Sequence, residues 1–116
     1  MHGDIAKDKR TLVLALSTQC HFCTESAPFF QRIRKETSKN LKMVAVLPQP
    51  VSESHKYLEG EGVQVDDVRQ APLTTIGVRG TPTLLLVDNV GSVQEVWQGK
   101  LDVNQQTAVL GVLKGN

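Results

Sequence analysis

The stretch TLVLALSTQCHFC, residues 11–23, joins a six-residue apolar run to the only two cysteines of the chain. Charged residues precede the run and polar residues follow it, which is typical of a central strand covered on both faces. Cys20 and Cys23 then stand where a helix is predicted to begin, close enough in sequence to form a disulfide. Because so short a loop restricts the unfolded chain little, the pattern favours reversible thiol chemistry over a structural crosslink.

The four residues of this Cys-His-Phe-Cys motif have separate predicted roles. Unpaired N–H groups and the positive end of the helix dipole favour a thiolate at a helix N-terminus. Cys20 is therefore predicted to be the attacking thiol and Cys23 the resolving thiol that releases a mixed disulfide. His21, when protonated, would stabilise the thiolate and tune the redox potential. Phe22 is predicted to present an apolar surface to an unfolded or apolar partner.

A second signature, Gly80-Thr81-Pro82-Thr83, places a proline at the start of an apolar strand. Proline cannot donate to a sheet ladder and is unwelcome inside a strand. A cis Thr81–Pro82 bond, which is uncommon and usually serves a local purpose, would turn the Thr81 backbone outward to pair with an extended peptide. We therefore predict that Thr81 and Pro82 bind the substrate; a trans proline at a sheet edge is the alternative.

Strands and helices are predicted to alternate along the rest of the chain, and this order implies parallel strands with an antiparallel edge from a closing hairpin. The fold class is therefore α/β, with a mixed central sheet and helices on both faces, in a single domain over residues 1–116. The predicted elements are strand 11–16, helix 20–39 kinked at Pro28 and ended by Asn40, strand 41–47, helix 51–59 capped by Ser52, strand 63–65, a helical turn or two in 66–77, strands 83–87 and 93–97, and a last helix opened by an Asp102–Gln105 capping box.

The composition narrows the classes of partner. The chain has 116 residues, 40% of them hydrophobic and 22% charged, with a net charge of +1, as in an ordinary globular domain. Charges of both signs are mixed, so neither nucleic acid nor an acidic membrane surface is an expected partner. No apolar run approaches the roughly 18–20 residues of a membrane-spanning helix, and no signal peptide is visible. Residues 1–10 are predicted to be flexible or left by trimming, and a membrane is expected as a partner only through an anchor removed from this end.

Other uses of the two cysteines stay open. They could be structural residues that fall at this spacing by chance. A structural zinc site needs four ligands, and only His2, His21 and His55 remain to complete it. Copper held by Cys20 and Cys23 with a histidine is the alternative function, that of a copper-binding and delivery protein. For thiol exchange itself we expect no metal and no cofactor, because the electrons reside in the cysteine pair.

From about Thr11 to Leu113 the chain resembles the thioredoxin-fold thiol–disulfide oxidoreductases. In that family a Cys-x-x-Cys motif opens a helix after a buried strand, and a proline follows five residues past the second cysteine, as Pro28 does here. The cis-proline strand of the family is matched by RGTPTLLL, residues 79–86, and its glycine before the last helix by Gly99. The resemblance implies a three-layer sandwich and an enzyme in which Cys20 and Cys23 exchange disulfides with protein cysteines, with Pro82 beside them.

Several residues differ from thioredoxin itself. Gln19 stands where thioredoxin has a tryptophan, and Leu14 stands where it has a buried acid that moves protons for the resolving thiol. His21 and Phe22 replace a Gly-Pro pair, and a histidine inside the motif is a feature of members that introduce disulfides. Efficient general reduction is therefore not expected, and an oxidising role is favoured. Peroxiredoxins are a weaker match, because the threonine three residues before their reactive cysteine is Ser17 here.

Residues 51–65 resemble the insertion of the TlpA-like branch of the family, whose members are usually secreted or membrane-tethered. The resemblance therefore favours an extracytoplasmic location, periplasmic or tethered, while a cytoplasmic location stays open. Ser26 occupies the position of a glutamate that is frequent in that branch, with Glu25 one position earlier, so the role of that glutamate is not transferred. The expected partners are protein thiols and disulfides and an upstream redox protein, and the chain is expected to be a monomer.

Overall fold

The computed structural model describes residues 10–37 and 41–114, which form a mixed five-stranded sheet flanked by helices. The strands are β1 (Arg10–Ala15), β2 (Leu41–Leu47), β3 (Asp67–Gln70), β4 (Thr83–Val87) and β5 (Val93–Gln98). The helices are α1 (His21–Glu25), α2 (Ala27–Thr37), α3 (Val51–Gly60) and α4 (Val103–Lys114), with a 3-10 turn at Leu73–Ile76. The sheet order is β3-β2-β1-β4-β5. The first three strands are parallel, β4 is antiparallel to β1, and β5 is antiparallel to β4, which confirms the predicted fold class.

One face of the sheet carries the main core. Leu12 and Leu14 of the central strand are completely buried there, and burial of each aliphatic side chain contributes about 1.5–3 kcal/mol. All four helices add buried side chains to this cluster: Cys23 from α1; Ala27, Phe29, Phe30 and Ile33 from α2; Leu58 from α3; and Val109, Leu110 and Leu113 from α4. The helix that carries Cys23 therefore shares one core with the central strand.

The opposite face has a smaller core, which is covered by a shorter helical element. Ala15, Val78 and Leu85 form a second cluster, but among the described residues no α-helix contributes to it. The covering segment is the 3-10 turn, which begins after Pro72 and ends at Gly77 in the left-handed region with φ 77°. A proline before the turn and a left-handed residue after it leave no room for a longer helix. In the described part of the chain, the helical cover of this face is therefore a single 3-10 turn.

The long first helix is divided into α1 and α2. The prediction of one helix kinked at Pro28 is wrong in detail, because the helix is interrupted at Ser26. The Ser26 N–H donates to the carbonyls of both Phe22 and Cys23, at 3.0 and 3.2 Å. Proline has no N–H to bond the carbonyl four residues earlier, so the helical ladder is weakened just before it. The expected end of the helix at Asn40 lies outside the described residues.

Two local predictions around α3 are also wrong. Pro50, and not Ser52, is the N-terminal boundary residue of α3, and no side chain caps the helix there. The strand expected at residues 63–65 is β3 instead, which begins at Asp67. The Val63 N–H bonds the carbonyl of Leu58 at 2.9 Å, so it serves the end of α3 and does not join the sheet. The capping box of α4, by contrast, is present.

In that capping box the Asp102 carboxylate accepts from the Gln105 N–H, and the Gln105 side chain accepts from the Asp102 N–H, both at 2.8 Å. This reciprocal pair satisfies two N–H groups at the start of α4. The predicted N-terminal segment is one residue too long, because Arg10 begins β1 and its guanidinium donates to the Leu113 carbonyl at 2.9 Å. Residues 1–9 lie outside the described part of the chain. None of the described helices is long and apolar enough to cross a membrane.

Candidate active site

The two cysteines lie at the carboxyl end of the central strand. After β1, Leu16 continues the pairing with β2 through a 3.0 Å bond from its N–H to the Val46 carbonyl. The chain then turns, and the Cys20 N–H bonds the Ser17 carbonyl at 3.2 Å. Cys20 is the N-cap residue of α1, in an extended conformation with φ −97° and ψ 113°. The first helical turn therefore begins directly below the Cys20 sulfur.

The Cys20 Sγ takes the place that a serine or aspartate oxygen usually takes at a helix N-cap. It accepts a hydrogen bond from the Cys23 N–H at 3.2 Å. Partial burial opposes ionisation of Cys20, but hydrogen bonds from the Cys23 and Thr81 side chains and from the N–H groups of Cys23 and Phe22 lower its pKa below the ordinary thiol value. Because α1 has only five residues, these local bonds carry the argument, and the dipole of a long helix does not.

Cys23 has the opposite environment. Its side chain is only 2% exposed and packs in the main core. Burial, together with its hydrogen bond to Cys20, raises the pKa of Cys23 to about 12. Among the described residues the buried polar side chains belong to Ser26, Thr37, Ser54 and Thr83. None of these ionises near neutral pH, so no buried carboxylate is at hand there to take the Cys23 proton, which fits the leucine at position 14.

The Thr81–Pro82 segment lies against the cysteine pair. The peptide bond between Thr81 and Pro82 is cis, and Pro82 is buried at the start of β4. The Thr81 side chain is close enough to both sulfurs to lower the pKa of Cys20 and to oppose the rise in that of Cys23. The structure thus brings together four of the residues that the sequence singles out, from two signatures far apart in the chain.

His21 and Phe22 are both on the surface. Phe22 is 53% exposed, a large apolar side chain on the surface two residues after Cys20. His21 is 76% exposed at its side chain and faces Glu25, with Nε2 at 2.9 Å from the carboxylate. The same carboxylate binds Lys100 Nζ at 2.9 Å. These contacts hold α1 to the loop between β5 and α4, and they do not join His21 to the sulfur of Cys20.

Sequence reasoning missed a group of hydrogen bonds between the cysteine turn and α3. The hydroxyls of Thr24 and Tyr57 lie 2.9 Å apart. The Thr18 N–H bonds the Gln49 side chain at 3.1 Å, and the Thr18 hydroxyl bonds the Glu53 carboxylate at 3.0 Å. None of these residues belongs to a recognisable motif. The one available signal was Tyr57 itself, the only tyrosine in the chain, within the segment that resembles an insertion.

Chemically, the arrangement offers one accessible, easily ionised thiol above one buried thiol that stays protonated at neutral pH. Such a pair can form a mixed disulfide at Cys20 and release it by attack of Cys23. Across residues 10–37 and 41–114, no group of three or more His, Cys, Asp or Glu side chains is placed to hold a metal ion. Neither His21 nor His55 is therefore grouped with the cysteines as a further ligand.

Comparison with solved structures identifies the fold. A thiol-disulfide isomerase from Corynebacterium glutamicum matches with a TM-score of 0.77 and 16% identity, over 100% of this chain and 87% of that one. A secreted Mycobacterium tuberculosis disulfide oxidoreductase, homologous to E. coli DsbE, matches with a TM-score of 0.73 and 12% identity, over 100% of this chain and 88% of that one. StoA from Bacillus subtilis matches with a TM-score of 0.70 and 17% identity, over 88% of this chain and 82% of that one.

These likenesses lie in the course of the backbone, since the identities are low. No protein-family model matches the sequence, and no curated protein matches it. Three features of the structure fit the fold of these proteins: the sheet order, the position of the cysteine pair at the start of α1, and the cis proline before β4. The chain therefore has the thioredoxin fold, and its structure is similar to those of thiol–disulfide oxidoreductases.

Proposed function

We propose that this chain is an enzyme that exchanges disulfides with protein cysteines through Cys20 and Cys23. The observation that carries the proposal is the unequal pair of thiols: the Cys20 sulfur accepts the Cys23 N–H at 3.2 Å, while Cys23 is buried with a pKa near 12. A low-pKa thiol that is accessible and lies next to a second cysteine is the usual arrangement for attack and resolution.

In the reducing direction, the Cys20 thiolate attacks one sulfur of a partner disulfide. A mixed disulfide forms, and the other partner sulfur leaves as a thiolate. Cys23 then loses its proton and attacks the Cys20 sulfur, which releases the second partner thiolate and leaves a Cys20–Cys23 disulfide. The oxidising direction is the reverse of these steps, so no cofactor is needed beyond the cysteine pair and an upstream redox partner.

The oxidising direction is the one that the environment of Cys20 favours. Interactions that stabilise the thiolate stabilise the reduced form of the pair, and a stabilised reduced form makes the disulfide a stronger oxidant. The lowered pKa of Cys20 acts in this sense, and a protonated His21 would add to it. Thr81, Pro82 and the exposed Phe22 are proposed to bind the partner polypeptide.

The same likenesses support two further proposals, one on the cellular location of the chain and one on its branch of the family. One similar structure is described as a secreted protein, and residues 51–65 resemble the insertion of the TlpA-like branch. We therefore assign the chain an extracytoplasmic site of action, and we expect it to work as a monomer. Measurement of activity after fractionation of the source cells would test the location.

The deciding experiment is equilibration of the purified protein against glutathione buffers, with acid quenching and mass analysis of the cysteines. We expect one two-electron transition that disappears in Cys20→Ser and in Cys23→Ser. A potential near −120 mV would indicate a disulfide donor, and one near −270 mV a reductant. Stoichiometric Cu(I) binding without any thiol exchange would contradict the proposal and support the copper-delivery alternative.

A further inference from the structure

A cleft of about 360 Å³ lies beside Thr81. Its lining residues are Gly77, Arg79, Gly80, Thr81, Thr83, Gln98 and Gly99. Thr81 belongs both to this cleft and to the surroundings of the Cys20 sulfur. A partner segment bound at Cys20 therefore reaches the cleft within a few residues of its own cysteine.

The backbone along one wall of the cleft has few partners inside the chain. Among the described residues, Arg79 and Thr81 make no backbone hydrogen bond, and the Gly80 carbonyl accepts only the Thr83 hydroxyl, at 2.7 Å. Three consecutive residues with open polar groups can pair with an extended polypeptide, as an exposed strand does. The wall therefore fits a peptide backbone better than a compact apolar ligand.

Charge in the cleft has one sign. Arg79 is the only ionisable side chain among the lining residues. It is exposed, and in the described part of the chain it forms no ion pair. The carboxylate of Glu25 is already held by His21 and by Lys100, the residue that follows Gly99 of the cleft. The positive charge of Arg79 is thus left for a group that enters the cleft.

We propose that this cleft selects partner cysteines that have an acidic side chain close by in sequence, with Arg79 binding the carboxylate. The planar guanidinium can donate two parallel hydrogen bonds to a carboxylate. The positive charge of Arg79 would also attract an acidic partner segment before it binds, and so raise the rate of encounter. The inference rests on the proposed function and adds a substrate preference to it.

The test uses three disulfide-linked model peptides of one length, in which the cysteine is flanked by Glu, Gln or Lys. The rate of mixed-disulfide formation is measured for each peptide at low salt with the full chain. We expect the Glu peptide to react about threefold faster than the Gln peptide and the Lys peptide to be slowest. Addition of about 0.5 M salt should bring the three rates together, because screening weakens exposed charge pairs.

Arg79→Gln should bring the Glu-to-Gln ratio to about one, and Arg79→Glu should invert the order. Lys42→Gln is the matched control. It removes the same charge from an exposed residue that pairs with Thr11, at the end of the sheet opposite to Cys20. We expect Lys42→Gln to keep the wild-type ratio.

Three results overturn the proposal. Equal rates for all peptides in the wild type would leave the proposed function standing without this preference. An equal effect of Lys42→Gln and Arg79→Gln on the peptide ratio would show that the preference comes from the net charge of the protein and not from the cleft. A rate with glutathione disulfide that depends on Arg79, while the peptide ratio stays at one, would assign the cleft to a small anionic thiol. Absence of exchange with every peptide would instead overturn the proposed function itself.

Discussion

Two loops surround the Cys20 sulfur, and they differ in how many of their polar groups form hydrogen bonds within the chain. The cysteine loop, residues 17–25, is tied to Gln49, to Glu53 and Tyr57 of α3, and to the last loop through Lys100. The Pro82 loop, residues 77–82, leaves most of its polar backbone open. One loop fixes the chemistry of the thiols, whereas the other keeps hydrogen-bonding groups free for a partner. The predictions below test this division from the largest expected effect to the smallest.

The largest effect is expected inside the cysteine loop. Cys20→Ser should abolish turnover, because the attacking sulfur is lost. Cys23→Ser should leave attack intact and trap mixed disulfides, which non-reducing gels and mass analysis would reveal. If the Cys20→Ser protein traps partners and the Cys23→Ser protein does not, the two roles are reversed.

The second prediction concerns the wild-type thiols. The pKa of Cys23 is raised to about 12 by burial, whereas hydrogen bonds lower that of Cys20, so at pH 7 Cys20 carries far more thiolate than Cys23. Iodoacetamide at pH 7 should therefore modify Cys20 almost exclusively, as peptide mapping would measure. The rate of this modification should rise with pH and level off at a lower pH than it does for an ordinary thiol, because the pKa of Cys20 is lowered by its hydrogen bonds. Equal labelling of the two cysteines would remove the distinction on which the proposed function depends.

The third prediction separates binding from stability in the Pro82 loop. Gly80 has no positive φ, and a β-carbon built on it would meet no atom within 4 Å. Gly80→Ala should therefore fold normally and gain up to about 1 kcal/mol from the reduced freedom of the unfolded chain. The added methyl group projects into the surface proposed to pair with partners, so KM for a protein substrate should rise about tenfold.

Gly111→Ala is the matched control for this change. Gly111 lies in α4, and a β-carbon there would also meet no atom within 4 Å. It should stabilise the protein by about 1 kcal/mol and leave KM unchanged. A KM increase in both variants would show that the effect does not come from the Pro82 loop.

The fourth prediction concerns the link from the cysteine loop to α3. Tyr57→Phe removes the hydroxyl that lies 2.9 Å from that of Thr24 and should lower the free energy of unfolding by about 1 kcal/mol. Urea unfolding with an unchanged m value would measure this loss. In a Thr24→Val background the same change should cost almost nothing. Equal losses in both backgrounds would show that the two hydroxyls are not coupled.

The smallest effect is expected for His21. Because its side chain is mostly exposed and paired with Glu25, its influence on the Cys20 thiolate is partly neutralised and screened. His21→Ser should lower the reduction potential by less than about 15 mV, which is about threefold in the exchange equilibrium. A shift above about 60 mV on glutathione titration would place His21 among the main determinants of the potential.

The sequence predicted features that depend on local order. The central strand, the cysteine pair after it and the apolar strand after Pro82 are visible because hydrophobic runs and rare residue types carry their own signal. The Asp102–Gln105 capping box was equally local. Predictions failed at residues 63–65 and at Ser52, where a hydrogen bond to the end of α3 and a proline at its start decided the outcome. The secondary-structure propensities of single residues do not report such contacts.

The sequence by itself determined the fold class and identified Cys20 and Cys23 as the reactive pair, because strand periodicity and a Cys-x-x-Cys motif are visible within a few neighbouring residues. Only the tertiary structure decided that Cys20 and Cys23 ionise so differently. Burial of Cys23 against the core and the approach of Thr81 depend on segments about 60 residues apart in the chain. The tertiary structure likewise decided that Tyr57 supports the cysteine loop and that Arg79 is left without a partner among the described residues. The physical reason is that solvation and hydrogen bonding are properties of packed surroundings, which a linear pattern does not specify.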